Sequence, residues 1–291
     1  MTHHFTVDVE EYFHVTALEG AAPRGSWGAF RSRVDPSVAR LLDLLAQHEA
    51  RATFFVLGWL AARRPGLVKT IAAAGHEIGS HGWDHALVTR QTPDAFRRSV
   101  RRTKAVLEAL TGKPVLGFRA PSFSIVPGRE WALDVLIEEG YAYDSSIFPI
   151  RHDRYGIPVS ARHPYTIERP GGRVTEVPGS TVRVGPLNFP VAGGGYFRIL
   201  PYRWTRWGIA RLNRVERRSA VFYLHPWEID PDQPRLTAGW LGRFRHYRNL
   251  HDTENRLRVL LRDFRFGSVQ SLLAQETAAG ALGAPALPYL W

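Results

Sequence analysis

The run Ala52-Thr-Phe-Phe-Val-Leu57 carries no charge and no regular alternation of polar with apolar side chains. A strand with one face in water alternates the two kinds; a strand that is apolar throughout has to be covered on both faces. The nearly apolar stretch around it, residues 52–62, is far short of the roughly 20 residues needed to span a bilayer. It therefore belongs inside a sheet with helices packed on either side. Parallel strands joined by helices are the usual way to build such a sheet.

The neighbouring segments follow the same plan. His4-Phe-Thr-Val-Asp8-Val9 reads as a first strand, and Asp35 then caps a helix with Pro36 at its first position and Leu41, Leu42, Leu44 and Leu45 as its buried stripe. Trp59 to Ala74 is helical with an interruption at Pro65, and His76 to Gly79 is a short strand. A helix opens at Thr92-Pro93 and stops at Gly112; Val115 to Phe118, a helix from Glu130 to Glu139 and Tyr141 to Tyr143 continue the order. Between Ile150 and Gly195, proline and glycine recur every few residues around short β-like pieces at Arg173–Val177 and Thr181–Val184. That reads as an insertion beside a cleft. A helix near Tyr202–Arg214, a strand Ala220–Leu224 ending in His225 and a helix near Thr253–Asp263 complete the pattern. The Ala/Gly/Pro-rich tail from Ala278 is expected to fray.

Composition removes several kinds of chemistry. With 291 residues and no cysteine, disulfides, thiolate metal sites and cysteine nucleophiles are all excluded. Lys and Arg outnumber Asp and Glu by 38 to 27, a net charge of +11. The densest cluster, Arg97, Arg98, Arg101 and Arg102, reads as a solvated helix face, so no nucleic-acid partner is expected. A Gly-x-Ser-x-Gly elbow and a Walker loop are both missing, and Gly193-Gly-Gly195 lacks the Lys-Ser/Thr of a phosphate cradle.

The chemistry-bearing residues fall at strand ends, and in parallel α/β barrels those ends converge on one rim. Asp8 and Glu10 share one side of the first strand by its two-residue period, with Glu11 facing away as a solvent contact or helix cap. Two carboxylates on one side repel unless a cation or a proton lies between them. His81 and His85, four apart, reach a common ion if the segment makes one helical turn. Spacing alone gives even odds against two surface histidines; the preceding strand and turn favour the metal. Two imidazoles and a carboxylate leave coordination positions open for water, as in catalytic zinc sites. Asp8 is then free to act as a base, Arg119 at another strand end is its candidate ion partner, and His225 lies on the same rim.

These residues resemble a known family. Thr6-Val-Asp8-Val-Glu10-Glu-Tyr-Phe-His14, Ala52–Val56, Gly75-His-Glu-Ile-Gly79-Ser-His81 to His85, Arg119-Ala-Pro121, Tyr143–Ser146 and Tyr223-Leu-His-Pro-Trp-Glu228, in that order, are similar to the polysaccharide deacetylases of the NodB-homology class, carbohydrate esterase family 4. The segment from Pro234 to Phe266 resembles the C-terminal extension of the branch found beside exopolysaccharide and exosortase genes. The resemblance implies a distorted (β/α) barrel of about seven parallel strands, with the irregular insertion near 150–200. A catalytic domain would cover residues 1–233 and a helical extension residues 234–291, packed on it. It implies one divalent metal ion, with zinc the first choice, and removal of N-acetyl groups from an amino-sugar glycan. By motif position Asp8 is the base, His225 the acid, Arg119 the holder of Asp8, and Asp144 the carboxylate that tunes His225. His81 and His85 are metal ligands with Glu10 as the third; Ser122, Phe123 and Trp227 contact substrate, Trp227 as the first choice for a sugar ring. Two positions depart from the family pattern: the usual adjacent aspartates are Asp8-Val9-Glu10, and the usual tyrosine after the arginine–proline motif is Ser122. Hydrolysis of a non-sugar cyclic amide, or glycan binding without catalysis, are the rival readings. The N-terminus shows no charged-then-apolar leader. A cytoplasmic enzyme is expected, with peripheral contact to the inner membrane or a polysaccharide synthase.

Overall fold

A computed structural model describes residues 1–278 and 280 of the chain. The uniformly apolar run becomes β2 (Thr53–Val56), buried along its length. It lies between β1 (Thr2–Val9) and β3 (Glu77–Ser80), parallel to both. The sheet continues through β4 (Gly117–Phe118), β5 (Tyr143–Asp144) and β7 (Gly172–Glu176), while β10 (Val221–Leu224) flanks β1 on the other side. These seven strands run parallel; β6 (Tyr165–Arg169) pairs antiparallel with β7 at one edge. The sheet curls into a distorted barrel. Between β7 and β10 no strand pairing closes it among the described residues; there the Ser180 hydroxyl accepts the Val221 N–H (2.6 Å).

Helices α1 (Val34–Gln47), α2 (Gly58–Arg63), α3 (Pro65–Ala73), α4 (Pro93–Thr111) and α5 (Trp131–Glu138) connect the successive strands. Leu41, Leu44, Phe54, Val56, Val100 and Leu107 belong to the one large core between helices and sheet. Most sequence boundaries hold within a residue or two. Asp35 is an exception: α1 begins at Val34, and Asp35 lies inside the first turn. The cap comes from elsewhere, because the buried Glu11 carboxylate accepts the Arg33 N–H and binds the Ser32 hydroxyl. An acceptor across the chain does the work that a local side chain does at most N-termini. The arginine-rich face of α4 is also committed internally: Arg97 and Arg101 pair with Glu139, and Arg102 lies 3.4 Å over the Trp83 ring.

The region from 150 to 200 holds the β6–β7 hairpin, a second small sheet of β8 (Thr181–Val184) and β9 (Leu187–Pro190), and α6 (Gly194–Ile199). Then come α7 (Tyr202–Arg211), α8 (Trp240–Tyr247) and α9 (Leu250–Asp263). The C-terminal part is not helical alone. Arg265–Gly267 forms β11, which pairs with the start of β1, and α10 (Val269–Ala278) follows it. A three-residue strand is too short to show a period. The expected frayed tail falls, apart from its first residue and Gly280, outside the described residues. Among the described residues no helix is long and apolar enough to cross a membrane.

Candidate active site

Because β1, β3 and β4 are parallel, their carboxyl ends meet on one side of the barrel. Asp8 and Glu10 close β1 and are both buried. Glu10 Oε1 lies 3.0 Å from His81 Nε2 and 3.0 Å from His85 Nε2. One ligand atom from each of these three residues falls within 4.8 Å of the other two. The convergence does not come from a helical turn. Residues 81–85 form an irregular turn, with left-handed backbone at Gly82 (φ 73°) and His85 (φ 55°). Main-chain bonds from Gly58 and Trp59 to the carbonyls of Gly82 and Trp83 hold it in place. Trp83 packs so closely on Gly58 that a Cβ there would meet its ring at 2.4 Å.

The donor set fits a metal ion. His81 Nδ1–H donates to the Arg119 carbonyl (2.8 Å), which leaves Nε2 as a lone pair aimed at Glu10. A carboxylate oxygen 3.0 Å from a neutral imidazole's lone pair is repulsive unless a cation or an extra proton lies between. Burial would push the Glu10 carboxyl up. The charges of His85 and His225 chiefly hold it well below the usual carboxylate range instead, so it stays anionic. Two imidazoles and one carboxylate form a set suited to a divalent ion such as zinc.

Arg119 is buried at the end of β4 and fully engaged. Its guanidinium donates to Asp8 Oδ1 (2.9 Å), Thr6 Oγ1 (2.7 Å), the Ser145 carbonyl (3.0 Å) and Ser145 Oγ (2.8 Å). Asp8 Oδ2 is left facing the cleft, 3.8 Å from His225 Nε2. His225 follows β10 and sits 3.9 Å from Glu10 Oε1. Ser122 and Phe123, both with left-handed backbone (φ 52° and 53°), border the same cleft. The Ser122 hydroxyl meets that of Thr16 at 3.1 Å. Non-glycine residues held in this region store local strain, a frequent mark of functional turns.

One expectation needs correction. Asp144 does not touch His225: it is wholly buried, and its Oδ1 accepts from Ser146 Oγ, which in turn accepts the Ala120 N–H (2.7 Å). Its other oxygen and Glu176 Oε2 are buried without a donor, and burial raises both carboxyls; one shared proton satisfies the pair. Asp144 therefore buttresses the 120–123 turn. The carboxylate on His225 is Glu228, whose Oε1 accepts from His225 Nδ1 (2.7 Å) and from the His225 backbone N–H (3.0 Å). The i, i+3 spacing His225–Glu228 at the start of a short helical turn is a capping-box pattern, the sequence signal that would have found it.

Trp227 lines the same cleft. Its ring stacks with the imidazoles of His225 (5.1 Å, 22°) and His246 (4.2 Å, 19°), which braces the His225 ring. Arg198 also went unrecognised in the sequence. Buried, it donates to Glu228 Oε2 (2.5 Å) and to the carbonyls of Arg245, His246 and Arg248. Burial alone would raise Glu228; chiefly the Arg198 charge, with the His225 bond, lowers it to about 2. Burial alone would lower His225; the carboxylates of Glu10, Glu228 and Asp8 push it up to about 9, so the ring is cationic at neutral pH. One neglected imidazole, His14, packs on Trp27 near Glu10 and is kept neutral by burial.

Fold and site together define a (β/α) barrel whose rim holds a metal-competent triad, an arginine-braced aspartate and a carboxylate-braced imidazolium. Residues 30–129 match the polysaccharide deacetylase family, and residues 145–274 match a domain of unknown function, DUF3473. A peptidoglycan-N-acetylglucosamine deacetylase of Listeria monocytogenes is 44% identical over 78 residues, 26% of this chain and 16% of that protein. One from Bacillus cereus is 35% identical over 96 residues, 33% of this chain and 35% of that protein. A chitooligosaccharide deacetylase of Rhizobium leguminosarum is 37% identical over 68 residues, 23% and 32% of the respective chains. The chain spans less than half the length of these curated relatives. In three dimensions it is similar to a Mycobacterium smegmatis protein described as a polysaccharide deacetylase (TM-score 0.64, 21% identity, 99% of this chain and 94% of that one). A PuuE allantoinase shares the fold as well (TM-score 0.64, 16% identity, 96% and 91%). Residues 30–129 thus carry a polysaccharide deacetylase domain of the NodB-homology class.

Proposed function

We propose that this protein is a metal-dependent de-N-acetylase that removes acetyl groups from amino sugars of a polysaccharide or lipid-linked oligosaccharide in exopolysaccharide synthesis. The observation that carries the reading is the pairing of Asp8 and His225 across the Glu10–His81–His85 triad, with Nε2 and Oδ2 separated by 3.8 Å. A base and an acid that both reach the reacting amide are what its hydrolysis requires. The relatives bearing deacetylase names support the substrate class.

A divalent ion held by Glu10, His81 and His85 would polarise the acetamide carbonyl and acidify a nearby water. The chain's own residues supply the proton transfers. Arg119 engages Asp8 Oδ1 and leaves Oδ2 to take the proton of the attacking water. Ser122 borders the cleft on a strained turn, and its backbone N–H would stabilise the developing oxyanion. His225, cationic and oriented by Glu228, protonates the departing amine at Nε2. The products are acetate and a free amino sugar.

The test is acetate release from N-acetylglucosamine oligomers by protein stripped with a chelator and then reloaded with zinc. Metal-dependent release supports the reading. Binding of the oligomer without any acetate would leave a glycan-binding protein. A cyclic ureide in the same panel separates the cyclic-amide reading, because its hydrolysis liberates no acetate.

A further inference from the structure

Beside the catalytic cleft lies a larger cavity, about 290 Å³ against about 120 Å³ for the cleft itself. The two are continuous: Val15, Arg154, Tyr155, Tyr223 and Trp227 line both. The cavity is lined by the insertion, α6 and α8 together with Val15, Ala17, Tyr223 and Trp227. Its lining is chemically one-sided, since three arginines face it and no carboxylate does among the described residues.

Those three arginines are not equivalent. The charge of Arg198 is spent on Glu228 and three carbonyls. Arg154 is exposed, and its guanidinium makes no hydrogen bond or ion pair within the described residues. Arg245 has only a 3.5 Å contact with Asp153, whose side chain is 57% exposed and lies off the cavity. Arg154 and Arg245 both act electrostatically on the hydroxyls of Tyr155 and Tyr196, which face each other 3.4 Å apart, so the two positive charges converge on one place. Guanidinium forks recognise carboxylate and phosphate oxygens with two parallel bonds, and phenolic hydroxyls suit sugar oxygens.

We propose that this cavity is a subsite for the sugar unit adjoining the acetamido sugar, and that Arg154 and Arg245 bind an anionic group on that unit, a carboxylate or a phosphate. The inference rests on the deacetylase reading for the placement of the acetamide, and it narrows the substrate to an acidic glycan. An ion bound alone would gain nothing from continuity with the cleft; a group attached to the reacting sugar would.

The experiment uses three probes on the full-length protein: a tetrasaccharide alternating N-acetylglucosamine with glucuronate, its carboxyl-reduced neutral counterpart, and an N-acetylglucosamine tetramer bearing a terminal phosphate. Calorimetry gives Kd and acetate release gives kcat/KM for the wild type and for Arg154→Gln with Arg245→Gln. At least one charged probe should bind tenfold or more tightly than the neutral one, and the double substitution should abolish that preference while leaving the neutral Kd unchanged. Asp153→Asn, which frees Arg245, should tighten the same charged probe. Whichever probe shows the arginine-dependent gain identifies the anion. Equal affinities for charged and neutral probes, or equal losses on all three in the double variant, would overturn the proposal even if acetate is released. Arginine-dependent binding with no acetate from any probe would keep the subsite and remove the deacetylase reading instead.

Discussion

The two sides of the catalytic cleft are built differently. On the metal side, Asp8, Glu10, His81 and Arg119 lie at or just beyond the ends of neighbouring parallel strands, so the sheet register itself sets their separation. On the acid side, His225 also follows a strand, but its charge and orientation come from Glu228, Trp227 and Arg198. Arg198 is in turn held by carbonyls near the end of α8, some fifty residues on. The first side is short-range architecture. The second is a chain of buried contacts, each link dependent on the next, and it falls in the stretch matched by DUF3473. Residues of that stretch thereby set the charge and orientation of His225.

Substitutions can separate the sides. The largest expected effect is Asp8→Asn: turnover should fall by about 10² to 10⁴, while zinc content measured by elemental analysis stays unchanged. A loss of metal together with activity would show that Asp8 belongs to the ligand set. Next is Glu228→Gln, with a drop of roughly tenfold or more in kcat. His225 acts as its cation, so the rate falls as pH rises through its pKa. Removing Glu228, one of the groups that raises that pKa, should move the alkaline limb to lower pH, and a pH–rate profile reads the shift directly. An unmoved limb would break the link between Glu228 and the charge of His225.

Arg198→Met should act mainly on stability. It leaves the buried Glu228 with His225 as its remaining charged partner, and breaking a buried pair costs about 3–5 kcal/mol, visible as a lower Tm, with a smaller change in kcat than Glu228→Gln gives. The smallest effect belongs to Arg101→Gln on the exposed face of α4, with Tm and activity both essentially unchanged.

How much of this was legible in the sequence follows the same division. The alternation Asp8-Val9-Glu10 places two carboxylates on one side, and the structure has both in the cleft. His81 and His85 were legible as a pair for a reason that does not apply, since an irregular turn rather than a helix brings them together. The apolar run at Ala52 reported the barrel because a doubly covered strand leaves a local signature. Asp144 was misassigned because strand-end position alone cannot distinguish a residue facing the cleft from one facing the 120–123 turn. Arg198 lies in a glycine-rich segment with no periodic pattern, and its partners are distant in the chain. Long-range side-chain bonds of that kind have no local trace. Glu228 did have one, the three-residue spacing from His225.

Residue 119 serves two neighbours by different atoms: its guanidinium steadies Asp8 while its main-chain oxygen fixes the tautomer of His81. The placements of those two side chains are thereby mechanically tied, and any shift of that strand end alters them in concert. Variation that retunes specificity is free to accumulate in the loops and the later domain, whereas this corner of the barrel leaves almost no independent degree of freedom to exploit.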